Sequence, residues 1–450
     1  MRVAVPGNVT YSRLFPAIER SFDYKVLEKL GLSMRGDKTR MPYLPAPPPP
    51  PAAAYTYFGQ FIAHDLTRDD TELFPHPIPE PEDVVNHRTP FLDLHSVYGH
   101  GPLSGHAFLY ELDGFHLKIG AKPTGYQSFD VPLDFCGRPL LADNRNNENI
   151  VIRQIHAIFL RLHNLAVDEL QGTVPDVDLF ETARQRVCWQ YQWLVRYDYL
   201  PRVCKPEIYD DIVRRGNTLI DWGNCFAIPV EFSHAAARFG HSMVRDKYNL
   251  NGSHLELPVA TLFAEAHQKR ALGLDLAVEW TRFARDPAMS IDTTVVAALF
   301  DLSEGSINPF VKRLTPEESN ALPVRTLQRG IAMKIPTGET VCQALDSSAN
   351  LCHPPEYNPF RDLSDLGLIG RTPLWYYVLL EAEVCEKGTQ LGAIGSRLIA
   401  EVIEGSLRHD PGSIENELAA DPTWRPPRWN AAATHDIEQF VQLTALLGLS

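Results

Sequence analysis

Four short stretches of this chain hold the side chains that could move protons, fix charge or bind metal. In Tyr-Thr-Tyr-Phe-Gly-Gln-Phe-Ile-Ala-His-Asp-Leu-Thr-Arg (55–68), Gln60 and His64 stand four residues apart. On a helix that spacing puts an amide and an imidazole on one face. Asp65 projects about 100° away from His64, so the same helix can offer a carboxylate to a second site. Arg145 and Glu148 lie in Ala-Asp-Asn-Arg-Asn-Asn-Glu-Asn (142–149), and Arg238 and His241 in Ala-Arg-Phe-Gly-His-Ser-Met-Val (237–244). Arg325 and Arg329 lie in Val-Arg-Thr-Leu-Gln-Arg (324–329). Taken singly, each stretch has a structural reading. His64 could be a hydrogen-bonded, half-buried histidine. Asp143, Asn146 and Asn147 could cap a helix beside a surface Arg145. Gly240 could serve tight helix packing.

Taken together, they suit one reaction. A haem needs an axial histidine to hold its iron. Peroxide on the opposite face needs a base that carries a proton from one oxygen to the other. It also needs a fixed cation where charge builds as the O–O bond breaks. His241 could meet the first requirement, His64 the second and Arg145 the third. Gly240 removes a side chain where a flat group could approach the backbone.

The elements that must position these residues are mostly helical. Val151, Ile155, Ile158, Leu162 and Leu165 repeat at three- and four-residue steps, which predicts a helix over 149–170. Further helices are predicted over 179–199 (ended by Pro201), over 229–244, from Thr372-Pro373 to about Glu383, over 392–408 and over 434–448; Thr315-Pro-Glu-Glu318 reads as a helix start. Residues 41–54 contain a proline run that favours polyproline II, and 409–432 read as irregular. The fold class is mainly α, with few short strands and long loops. One large domain over 55–450 follows an N-terminal arm with a Pro-rich spacer over 1–54.

A net charge of −14 over 450 residues argues against nucleic-acid partners and anionic membrane surfaces. No run of about 18 apolar residues predicts a transmembrane span. The N-terminus has no apolar leader segment, so a cytoplasmic location is expected. Seven scattered cysteines without C-x-x-C spacing read as thiols in a reducing compartment.

Several segments resemble the animal-type haem peroxidases of the peroxidase–cyclooxygenase superfamily, in particular its short bacterial members. They are Phe-Gly-Gln-Phe-Ile-Ala-His-Asp (58–65), Thr-Pro-Phe-Leu-Asp-Leu-His-Ser-Val-Tyr-Gly (89–99), Arg-Asn-Asn-Glu-Asn (145–149), Leu-Arg-Leu-His-Asn (160–164), Pro-Val-Glu-Phe-Ser (229–233) and Arg-Phe-Gly-His-Ser-Met-Val (238–244). The resemblance implies haem b as cofactor. It makes Gln60 and His64 the distal pair, Arg145 the distal arginine and His241 the proximal iron ligand. Arg238, Thr326 and Arg329 would also contact the cofactor or its ligand. Glu148 resembles a glutamate that can esterify a haem methyl. The resemblance further implies calcium beside the distal helix, held by Asp65, Thr89, Asp93 and the Phe91 carbonyl.

The departures from the family pattern are specific. Ala63 stands where a second ester-forming Asp is usual, so at most one ester can form. Asn149 stands where some members have the Met of a sulfonium link. Thr326 aligns with an Asn that accepts a hydrogen bond from the proximal histidine. His95 replaces an oxygen donor of the calcium site, and an imidazole is a poor calcium ligand. Arg238 stands where lipid-oxidising branches have a radical-forming Tyr. The leading expectation is a peroxidase that reduces hydrogen peroxide and oxidises halide, thiocyanate or phenolic donors through an oxoferryl intermediate. The alternatives are a fatty-acid dioxygenase-like haem enzyme, a non-catalytic haem-binding protein, and a metal hydrolase using His64, Asp65, His156 and His163.

Overall fold

The computed structural model describes residues 9–17, 22–36, 50–71, 80–121, 129–216, 226–284, 286–302, 320–345 and 361–426. The first helix, α1 (Tyr24–Ser33), starts at Asp23, whose carboxylate accepts from the Lys25 amide, and it buries Leu27 and Leu30. It packs against a later helix at 322–332. The segment expected to be an arm laid over the body is therefore partly built into the core. Tyr11 is also buried, and the Leu14 and Phe15 amides donate to the buried Glu231 carboxylate. This burial comes from partners more than 200 residues away in sequence, which no local period reveals. Most of the proline run lies outside the described residues.

α2 (Ala53–Leu66) is buried on nearly every side. α3 (Ile150–Leu170) begins at Asn149, whose side chain accepts from the Val151 and Ile152 amides. It is apolar and long enough to cross a membrane, but 89% of its apolar window is buried inside the protein. It serves as the core helix against which α2 and α4 pack.

α4 (Asp176–Leu194) does not stop at Pro201. It passes through a π-helical turn, Val195–Tyr199, and continues as Leu200–Val203. Pro201 falls in the first turn of that continuation, where its missing N–H is least needed. α5 (Pro206–Arg215), α6 (Leu322–Ala332), α7 (Leu374–Glu386) and α8 (Ala393–His409) follow. α9 (Ile414–Ala420) occupies part of the stretch that reads as irregular.

The predicted helix over 229–244 is broken. Val230–Ser233 form one turn and Ala236–His241 a 3₁₀ turn, with Ala235 at φ −135°, ψ −81° between them. The Ser233 hydroxyl bonds the Pro229 carbonyl and meets His234 Nδ1 at 2.7 Å, so a side chain competes with the helical ladder there. The predicted helix start at Thr315 and the final helix over 434–448 lie outside the described residues.

Among the described residues, strands form three pairs of two residues each: Val9–Thr10 with Val85–Asn86, Arg35–Gly36 with Val295–Val296, and Lys247–Tyr248 with Leu257–Pro258. The mainly α expectation holds. Cys136, Cys188, Cys204, Cys342 and Cys385 are all thiols, not disulfides. The 236–241 turn packs against both α2 and α7, and this arrangement positions the site.

Candidate active site

A cavity of about 280 Å³ opens between α2 and the 236–241 turn. Gln60, Ala63 and His64 line it from α2, Arg145 and Glu148 from the turn before α3, and Arg238, Gly240 and His241 from the facing turn. Six of the sequence-predicted residues thus share one space.

His64 is buried and oriented. Asn146 donates from Nδ2 to His156 Nδ1 at 3.0 Å, and its Oδ1 accepts from His64 Nδ1 at 2.9 Å. With the Nδ1 hydrogen committed, His64 Nε2 keeps its lone pair. Its nearest carboxylate oxygen is Glu148 Oε2 at 3.7 Å, too far for a hydrogen bond. Burial, reinforced by the Arg145 charge, lowers the His64 pKa to about 3. The imidazole is therefore neutral at neutral pH and can act as a base, so its approach to Glu148 is not an ion pair.

Glu148 accepts from Gln60 Nε2 at 2.7 Å, and Gln60 Oε1 accepts from Asn149 at 3.1 Å. Burial pushes the Glu148 carboxyl up to about 7, against the pull of Arg145. Arg145 is held by Asp143, at 3.1 Å from Nε and 2.6 Å from Nη2, and by the His64 carbonyl at 2.9 Å. Burial opposes the Asp143 charge, but Arg145 and Arg88 together hold its pKa well below the usual range. These contacts leave Arg145 Nη1 unused.

Across the cavity, the His241 pKa is lowered to about 3, by burial and then by Arg238. A neutral ring can donate a nitrogen lone pair to a metal. Its Nδ1 is buried without a hydrogen-bond partner. Arg238 donates from Nε to the Ser233 carbonyl, and burial, with Arg329 nearby, lowers its pKa to about 10. Trp375 of α7 holds this turn: its indole N–H donates to the Arg238 carbonyl at 3.1 Å, and its ring meets His241 edge-on at 5.9 Å.

Thr326 and Arg329 do not line the cavity. Thr326 faces a smaller hollow beside His234 and Trp375, and no hydrogen bond joins its Oγ1 to His241 Nδ1; both atoms are buried without partners. Arg329 reaches Asp69 at 3.5 Å and the Thr71 carbonyl at 2.8 Å. Asp69 also binds His234 Nε2 at 2.9 Å.

The proposed calcium ligands converge but do not form a cage. Asp65 accepts from the Leu94 and Ser96 amides, and Asp93 Oδ1 accepts from the Thr89 hydroxyl and the His95 amide. The Phe91 carbonyl accepts from the Asp93 amide. These oxygens thus already serve protein donors, whereas calcium wants six to eight oxygen ligands. Burial and then the facing Asp93 charge raise Asp65 to about 7. The group is a hydrogen-bonded corner and does not fit calcium.

The hydrolase alternative has no site either. His156 binds Asn146, while His163 lies between the Tyr98 hydroxyl and the Phe115 carbonyl. Among the described residues no group of three or more His, Cys, Asp or Glu could hold a metal ion.

The cavity does suit a haem. It offers the neutral imidazole of His241 and the half-buried guanidinium of Arg238 for an anionic edge. It also has a glycine, Gly240, whose added Cβ would meet only the Thr56 carbonyl, at 4.0 Å. Sequence reasoning missed two supporting residues. Asn146 reads as a cap, and Trp375 as core or channel lining; nothing local marks either as facing a histidine.

Comparison with known proteins gives the chain a family. Residues 67–304, more than half of the chain, match the family model described as animal haem peroxidase. Gln60 and His64 lie just before that span. A peroxidase-like protein of Margaritifera margaritifera is 30% identical over 211 residues, covering 43% of this chain and 26% of its own length. Lactoperoxidase of Mesocricetus auratus is 26% identical over 214 residues, covering 40% and 29%. The chain thus spans under a third of the length of these curated relatives.

Among solved structures, peroxidase A from Dictyostelium discoideum superposes with a TM-score of 0.69 at 16% identity, over 98% of this chain and 94% of that one. A fatty acid α-dioxygenase of Arabidopsis thaliana gives 0.66 at 14% identity, over 97% and 78%. These likenesses show a shared fold. With the matched span running from just after His64 through His241, the chain belongs to the animal haem peroxidase family.

Proposed function

We propose that this protein is a haem peroxidase that reduces hydrogen peroxide and oxidises a small donor. One observation carries the reading: His64, Arg145 and His241, from three distant stretches, line one cavity. His241 would hold the iron. Arg238 would meet the carboxylates of the macrocycle. Bound haem would supply the exchange of two electrons with peroxide and their recovery from the donor.

The chain's own residues handle the protons. His64 Nε2 accepts the proton of one peroxide oxygen and returns it to the other, which leaves as water. Asn146 keeps that nitrogen unprotonated beforehand. Arg145, fixed by Asp143, offers positive charge to the departing oxygen without reorganising. Gln60, tied to Glu148 and Asn149, would hold a water or small anion beside His64.

Halide, thiocyanate and phenols are the proposed donors, in keeping with the family. The α-dioxygenase likeness concerns fold, and Arg238 occupies the position where a lipid-oxidising tyrosine would stand in the resembling branches. Glu148 lines the cavity and is the proposed point for a single haem ester.

An absorption spectrum of the pure protein, with and without peroxide, tests this reading. The expected result is a Soret band that shifts with peroxide, turnover of a chromogenic phenol, loss of turnover in His64→Ala and loss of the band in His241→Ala. Haem-supplemented protein without a Soret band overturns the proposal. A haem that migrates free of the chain on a denaturing gel overturns the ester.

A further inference from the structure

We infer that Tyr55 is a redox-active residue of this site and that Asp198 takes its proton. The inference rests on the peroxidase reading above.

Tyr55 lies in the first turn of α2, is almost fully buried, and lines the same cavity as His64 and His241. Its hydroxyl donates to Asp198 Oδ1 at 2.7 Å, a well-formed O–H···O hydrogen bond. Asp198 is itself buried and sits in the π-helical turn Val195–Tyr199. Such turns are rare and are often found at functional sites. Here the turn presents Asp198 and Tyr199 together to α2.

The chemistry follows from charge. A phenol that loses an electron while keeping its proton becomes a cation, and an isolated buried cation is costly. A carboxylate already in a hydrogen bond removes that obstacle. With haem bound and oxidised by peroxide, Tyr55 would give up one electron to it. The phenolic O–H bond breaks, an O–H bond forms on Asp198, and Tyr55 remains as a neutral phenoxyl. A donor entering the cavity then returns one electron, and the proton moves back from Asp198. The tyrosine would thus keep one oxidising equivalent within the polypeptide for one-electron donors.

The other cavity tyrosines lack this partner. Tyr57 faces the Tyr248 hydroxyl. Tyr199, whose ring lies 6.5 Å from Tyr55, presses against Gly59, where an added Cβ would come within 2.5 Å of its hydroxyl oxygen.

The test uses haem-loaded full-length protein mixed with hydrogen peroxide. One sample is freeze-quenched for electron paramagnetic resonance. A second is trapped with 2-methyl-2-nitrosopropane, digested and mapped by mass spectrometry. The expected result is a tyrosine-type radical, with the adduct on Tyr55. Tyr55→Phe should abolish that signal while keeping the Soret band, and Asp198→Asn should lower its yield. Mapping on the unaltered chain decides the matter even if a variant fails to fold. An adduct on Tyr57 or Tyr199 with Tyr55 unlabelled overturns the inference, as does a signal undiminished in Tyr55→Phe. A normal peroxide reaction without a tyrosine radical overturns this inference alone. A Soret band indifferent to peroxide overturns the peroxidase reading and this inference with it.

Discussion

Asn146 Oδ1 lies 2.9 Å from His64 Nδ1, and the same amide reaches His156 with its nitrogen. A residue that the sequence presents as a helix cap therefore sets the tautomer of the candidate base. Asn146→Leu would leave two buried ring nitrogens without partners, at about 1–3 kcal/mol each. Steady-state turnover at neutral pH should fall roughly tenfold or more, since about 1.4 kcal/mol of lost orientation is a factor of ten in rate. Unchanged peroxide kinetics in a folded Asn146→Leu protein would show that His64 needs no such orientation.

Arg145 and Arg88 share one fully buried carboxylate, Asp143. Arg145→Leu should slow reaction with peroxide by about 10²–10³, the cost of losing one charge-stabilising donor. It should also destabilise the fold, by less than the roughly 3–5 kcal/mol of an uncompensated buried charge, because Arg88 remains. Stopped-flow rates and urea midpoints separate the two effects. A variant that loses stability but keeps its rate removes Arg145 from the mechanism.

Glu381 of α7 accepts from the Ile394 and Gly395 amides at the start of α8. Burial, aided by the Glu386 charge, raises its carboxyl to about 7, above the ordinary value for Glu. The folded state therefore holds this proton more tightly than the unfolded chain. The resulting stabilisation is fully present below about pH 4.5 and is lost as pH rises through 7. Its full size is on the order of 3 kcal/mol. Urea unfolding at pH 5 and pH 8 should show the decline, and Glu381→Gln should flatten it. An equal slope in both proteins would assign the pH dependence to other groups, such as Glu148, whose shift has the same direction.

The oxygens of the corner built from Asp65, Thr89, Phe91 and Asp93 already accept from protein donors. Treatment with a calcium chelator should leave the melting temperature and the Soret band unchanged. A drop in either, reversed by added calcium, would mean that these oxygens rearrange into a cage.

Local pattern determined much of this protein. The four-residue spacing of Gln60 and His64, the apolar steps of 150–170 and the cap at Asn149 each encode a helix through contacts one turn apart. That is the range over which sequence spacing is physically binding. The candidate residues could be named because their amide, imidazole and guanidinium groups together suit one reaction and their segments resemble one family in order.

Tertiary structure decided which of them meet. His64 and the Arg145 side chain are 81 residues apart in the chain yet share a hydrogen bond through the His64 carbonyl. Long-range burial drew Tyr11 and α1 into the core and set Trp375 against His241. It also left Thr326 Oγ1 and His241 Nδ1 without a hydrogen bond between them and closed the calcium corner on itself. None of these has a period that a single stretch could show, because each depends on which surfaces exclude water together.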